Sequence, residues 1–176
     1  MIKTSNELNW YVLHTRSKFE NVVNDSLLKK SMESFLPKIK VRSKRKDRKA
    51  IISVPLFPGY VFIKTSIRAD IHLNILKTVG VVRFLGFNAG PAPVPEDSIE
   101  SLKIMVTAQM PITTGSQFKK GEKVIVTRGA LSGTIGFFAR YGGVGRIVIN
   151  IDVLGQFAAV DISEDDIEAL PDNIAS

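Results

Sequence analysis

Between Val54 and Ile63 the chain reads Val-Pro-Leu-Phe-Pro-Gly-Tyr-Val-Phe-Ile, and no other stretch narrows its fold so far. Pro55 and Pro58 have no N–H to give a β-ladder, and Gly59 tolerates backbone angles that other residues avoid, so the segment turns a sharp corner. From Tyr60 it continues as a strand, with Tyr60 and Phe62 on one face and Val61 and Ile63 on the other. Both faces are apolar, so both need covering, and Leu56 and Phe57 add more apolar surface at the same place. Two readings follow: an ordinary central strand with its entry turn, or a strand with one face roofed in part by another protein, since exposed apolar patches mark interfaces.

The flanking segments supply the cover. Trp10-Tyr11-Val12-Leu13-His14 is aromatic, branched and short, as a strand is. Ser17 and Glu20 have the spacing of a capping box, and Phe19, Val22, Val23 and Leu27 follow at helical intervals. A second helix spans 70–77 and a strand 81–85. Gly86 to Pro95 is a stiff proline loop, and Pro95-Glu96-Asp97 opens a third helix whose buried stripe is Ile99, Leu102, Met105 and Val106. The order β-α-β-β-α-β-α predicts a ferredoxin-like α/β sandwich. Residues 108–116 lose periodicity and read as a linker. Beyond it, short strands at 123–127, 134–139, 146–151 and 157–162 are separated by glycine turns, the pattern of a small β-barrel, with residues 165–170 closing it as a helical turn and apolar plug. The fold class is therefore α+β, with domains at 1–108 and 118–176 and a linker at 109–117.

Charge is distributed unevenly. The net charge is +7, and residues 38–49 hold eight basic side chains and one acid, while the remainder balances. Lys38-Ile39-Lys40-Val41-Arg42 alternates with a period of two and Ala50 to Ser53 returns, which predicts a β-hairpin with a cationic tip. The tip is either a solvated loop or a contact for a polyanion, because eight like charges repel unless something offsets them. Without interleaved aromatics such a tip suits phosphates rather than bases. Lys44, Arg45, Lys46 and Arg48 are the candidates.

The chain has no cysteine, which excludes disulfides and thiolate chemistry. No window approaches a membrane span and the N-terminus has no signal-peptide core, so the expected setting is cytoplasmic, with no membrane partner. His14 and His72 lie in different elements without neighbouring carboxylates. Gly142 to Arg146 lacks the Lys-Ser/Thr ending of a phosphate loop, Ser132 is in no nucleophile elbow, and Asp165, Asp166 and Glu168 read as an exposed turn. The expectation is a non-enzymatic protein, a monomer, with no cofactor and no metal.

The corner Pro55 to Phe62 resembles the signature of the NusG family of transcription elongation factors, especially specialised paralogues of the RfaH and UpxY type. Trp10-Tyr11-Val12-Leu13, the proline loop Gly90 to Pro95, and Gly121-Glu122-Lys123-Val124-Ile125-Val126 with Gly129, Gly133 and Gly136 are similar to the family's opening strand, pre-helix loop and KOW motif. The resemblance implies an N-terminal NGN domain that binds the clamp helices of RNA polymerase through an apolar pocket, carried here onto Phe57, Pro58 and Tyr60, with Trp10 and Phe84. It implies that His14, Thr15, Arg16 and Lys18 meet nucleic acid in the elongation complex. It implies a KOW barrel that recruits a ribosomal small-subunit protein or the Rho terminator. His72-Leu73-Asn74 departs from the stretch that touches the polymerase gate loop in RfaH. The strand-forming residues of the barrel predict no helical alternative. The rival expectation is a ribosome- or RNA-associated KOW-domain protein, which predicts a basic barrel.

Overall fold

The computed structural model describes residues 6–45, 50–116, 121–141 and 143–170. The chain divides into two compact units, Met1–Pro95 and Glu96–Ser176.

In the first unit the elements are β1 (Asn9–Thr15), α1 (Glu20–Lys29), β2 (Glu33–Phe35), β3 (Lys38–Arg42), β4 (Ile51–Pro55), β5 (Tyr60–Thr65), α2 (Ala69–Leu76), β6 (Val81–Phe84), β7 (Gly86–Phe87) and β8 (Gly90–Pro91). A four-stranded antiparallel sheet runs in the order β2-β5-β1-β6. The two crossovers are α1, between β1 and β2, and α2, between β5 and β6. Tyr11 and Leu13 of β1 join Val61 and Ile63 of β5, Val23 and Leu27 of α1, Ile75 of α2 and Phe84 of β6 in one core cluster. Trp10, Val12 and Phe62 belong to the opposite face by alternation and are equally buried. Val61, Phe62 and Ile63 are each 0% exposed. The sequence reading in which an outside protein roofs one face of this strand is thus corrected along those three residues: the chain covers both faces itself.

β3 and β4 form a separate two-stranded ribbon, Lys38 opposite Pro55 and Arg42 opposite Ile51. The Leu56 N–H donates to the Pro37 carbonyl at its base (2.8 Å), and the Ser43 N–H to the Ala50 carbonyl near its tip (2.8 Å). The proline loop contains a second small ribbon, β7 with β8, and Val94 bridges to Trp10.

The capping box at the start of α1 is not formed. The helix begins at Glu20, its N-cap Phe19 supplies no side-chain cap, and Lys18 takes a left-handed φ of 65°. Glu20 is buried and spends its carboxylate on Gly59 instead. Val22, expected in the buried stripe, is largely exposed, because its position on the turn points away from the sheet that Val23 and Leu27 meet.

The second unit holds α3 (Glu96–Thr107), β9 (Thr113–Ser116), β10 (Glu122–Val126), β11 (Ile135–Tyr141), β12 (Val144–Ile151), β13 (Gln156–Asp161) and β14 (Ile167–Ala169). Its strands form one antiparallel sheet in the order β14-β10-β11-β12-β13-β9. Ile99, Leu102 and Met105 of α3 are fully buried as the stripe predicts, while Val106, its fourth member, is only half-buried. The helix is counted with these strands: Ser101 Oγ accepts from the Ile135 N–H (2.8 Å), and Asp97 lies 3.8 Å from Lys123. Two expectations are corrected here. Thr113–Ser116 is not free linker but an edge strand paired with β13, where Gly115 leaves room for the Phe157 ring. The expected helical turn forms as a 3-10 turn at Glu164–Asp166, but residues 167–169 then close the sheet as a strand paired with β10 rather than as an apolar plug. Among the described residues no helix is long and apolar enough to cross a membrane.

Candidate functional site

The corner is held from both sides. Gly59, at φ 87°, donates its N–H to Glu20 Oε1 (2.7 Å) and accepts at its carbonyl from the Thr15 N–H (2.8 Å). A charged acceptor makes the first of these bonds one of the stronger kinds. Leu56 and Phe57 are turned inward, Phe57 at 1% exposure and edge-on to Phe62 with ring centroids 6.3 Å apart. Phe62 in turn meets Phe35 at 6.1 Å. The aromatic stack below leaves Pro58 exposed and Tyr60 half-buried at the surface.

Register extends this surface across the sheet. His14 of β1 lies opposite Tyr60 of β5 on one side and opposite Arg83 of β6 on the other. Residues directly opposite in antiparallel strands share a face, so Tyr60, His14 and Arg83 form a row. The His14 and Tyr60 rings are 5.5 Å apart and tilted by 35°, and Arg83 is exposed. Sequence reasoning missed Arg83, whose only signal was its place in a strand still to be paired.

Three of the five expected apolar contacts are core residues. Trp10 (1% exposed), Phe57 and Phe84 are buried. Phe84 is moreover on the opposite face of the sheet from Tyr60: it packs edge-on to Tyr11 (6.1 Å) and is stacked by His72 (4.6 Å, 14°). Only Pro58 and Tyr60 of that set reach the surface. Of the polar set, Thr15 is also buried, its hydroxyl donating to the Arg16 carbonyl (3.1 Å). Arg16 and Lys18 are exposed and His14 is half-buried. Lys44 and Arg45 are exposed at the ribbon tip, while Lys46 and Arg48 lie outside the described residues.

The His72-Leu73-Asn74 segment is engaged internally at both ends. His72 stacks on Phe84, and burial pushes its imidazole below the ordinary 6.5. The Asn74 side chain and carbonyl both accept from Lys30 Nζ (3.0 and 3.1 Å). Burial likewise raises the Tyr11 hydroxyl, helped by the Glu7 charge and opposed by a hydrogen bond with Asn9.

The first unit thus carries a fixed aromatic corner, a surface row of Tyr60, His14 and Arg83 beside it, and a basic ribbon. The family profile described as "Transcription termination factor nusG" matches residues 8–103, more than half of the chain. This protein belongs to the NusG family. The transcription termination/antitermination protein NusG of Helicobacter pylori (strain ATCC 700392 / 26695) is 22% identical over 174 residues, covering 93% of this chain and 99% of its own. The NusG of Rickettsia felis is 25% identical over 172 residues, covering 90% and 88%. Among solved structures, Thermotoga maritima NusG superposes with a TM-score of 0.53 at 19% identity, covering 94% of this chain and 98% of that one. The overall mixed α/β fold is shared with it.

Proposed function

We propose that this NusG-family chain is a non-catalytic elongation and antitermination factor of the specialised-paralogue kind. It docks on the clamp helices of RNA polymerase through the Pro58–Tyr60 corner. The observation that carries this is the double clamp on Gly59: a corner held by Glu20 and Thr15 presents Pro58 and Tyr60 in one geometry, so little entropy is lost on docking. Phe57 supports the corner from beneath through Phe62, Trp10 is buried farther along β1 opposite Lys64, and Phe84 packs on the other face of the sheet; none of the three is itself the contact. Arg83 and His14 extend the contact sideways, and Arg16, Lys18, Lys44 and Arg45 meet nucleic acid of the elongation complex. The work is cytoplasmic, where the polymerase is.

The four-strand order of the first unit, read along its own strands as 2-3-1-4 with two crossover helices, supports a ferredoxin-like NGN domain. The run β14-β10-β11-β12-β13 supports a five-stranded KOW barrel with β9 added at its edge. We place the functional boundary after α3, since the family match reaches residue 103 and takes in most of that helix. The barrel then recruits a ribosomal small-subunit protein or Rho. Residues 109–176 carry six basic and eight acidic side chains, which disfavours the rival reading as a direct RNA binder.

Pull-down with core RNA polymerase tests the docking. Tyr60→Ala, melting as the wild type does, loses capture at least tenfold, and Arg83→Ala weakens it less. Full capture by Tyr60→Ala would sink the proposal.

A further inference from the structure

The described residues of the ribbon, 37–45 and 50–55, contain no acidic and no aromatic side chain. Along β3, Lys38, Lys40 and Arg42 are exposed and alternate with half-buried Ile39 and Val41. Alternation puts the three cations on one face, recurring every ~6.8 Å along the strand. Their partners across the ribbon, Pro55, Ser53 and Ile51, are uncharged. The other face is apolar, Ile39 opposite Val54 and Val41 opposite Ile52. Lys44 and Arg45 continue the positive charge past the end of the strand and are exposed. The ribbon is anchored at its base by the Leu56–Pro37 backbone bond and paired along its length, so the row is carried on a strand rather than on a loose tail.

We infer that the Lys38–Lys40–Arg42 face is a landing strip for the sugar-phosphate backbone of duplex DNA, each cation meeting one phosphate and none reading a base. The spacing is comparable to that of successive phosphates on one strand. Duplex is preferred over single strand for two reasons. The ribbon has no aromatic platform on which unpaired bases could stack. A duplex also carries twice the axial charge density, which a purely cationic surface senses most. This extends the nucleic-acid half of the proposed function to residues outside the tip, and it requires no contact with polymerase.

The test is fluorescence anisotropy of the full chain with a labelled 30-base-pair duplex of arbitrary sequence, and with one of its strands, between about 50 and 200 mM salt. The wild type binds the duplex more tightly than the strand, with similar affinity for a second, unrelated duplex. The triple variant Lys38→Gln, Lys40→Gln, Arg42→Gln flattens the slope of log K against log salt by about 2.7, three phosphates at about 0.9 each. The charge-keeping variant Lys38→Arg, Lys40→Arg, Arg42→Lys retains the slope, which separates lost charge from lost fold. The inference is overturned by a slope change under about 1 in the Gln variant, by equal loss in the charge-keeping one, or by tighter binding to the single strand. A chain captured by polymerase that ignores naked duplex overturns this inference alone, whereas duplex binding without polymerase capture overturns the docking and leaves the strip standing.

Discussion

Across a gap of 39 residues in sequence, the backbone N–H of Gly59 donates to Glu20 Oε1 at 2.7 Å, tying the first turn of α1 to the corner before β5. Removing the carboxylate leaves a backbone donor without its acceptor in a partly buried site. Glu20→Ala is expected to lower stability by about 2 kcal/mol, and Glu20→Gln, which keeps a carbonyl acceptor, by about half of that. Urea titration gives both numbers; an unchanged midpoint for Glu20→Ala would show that the bond holds nothing in place.

Gly80 sits at φ 94°, and a Cβ there would come within 2.8 Å of Phe19 Cδ1 and 2.9 Å of Val23 Cγ2. Both neighbours are packed against the core, so neither has room to yield. Gly80→Ala combines left-handed strain with overpacking and is expected to destabilise by roughly 2–4 kcal/mol. Thermal melting with intact secondary structure at low temperature is the readout, and a shift of under about 2 °C contradicts the geometry.

Lys30 Nζ donates to the Asn74 carbonyl (3.1 Å), Asn74 Oδ1 (3.0 Å) and Thr78 Oγ1 (2.9 Å). It is a positive charge at the C-terminal end of α2, delivered from the end of α1, and complements that helix dipole. Being exposed, it is worth little: Lys30→Met should cost about 1 kcal/mol at low salt and less at high salt. A cost that does not change with salt would assign the effect to packing instead.

Burial disfavours the charged form of His72 and lowers its imidazole below the ordinary 6.5. Below the ordinary histidine value the unfolded chain takes up a proton that the folded one resists. The stabilising contribution is therefore complete above that value and is lost as pH falls through the lower, folded one. Denaturant midpoints measured from pH 7.5 down to 5 should fall more steeply for the wild type than for His72→Phe, which keeps the stack on Phe84. Parallel profiles would remove His72 from the account.

The elements of this protein were largely legible before any pairing was known. The period-two alternation of Lys38 to Arg42 became β3, and the stripe Ile99, Leu102, Met105 became the buried side of α3. The corner at Pro55–Gly59 turned where its prolines and glycine required. What failed were readings that needed to know a neighbour. Glu20 had the spacing of a cap and found a better donor in Gly59. Thr113–Ser116 had the composition of a linker and found an open edge on β13. Polar groups and bare strand edges are satisfied by whatever the fold brings near, and a local pattern carries no record of that.

The candidate site divides in the same way. Sequence alone determined that an aromatic bend stands close to a strongly basic run, because hydrophobicity, proline geometry and charge are properties of single residues. Tertiary structure alone decided which of those aromatics face outward: Phe57 and Trp10 went into the core, Phe84 to the other side of the sheet, and Tyr60 stayed at the surface. Arg83 entered only through the register of β6 on β1. An exposed face is a relation among strands distant in sequence, settled by which pairing buries the most apolar surface, and it exists only once those strands have met.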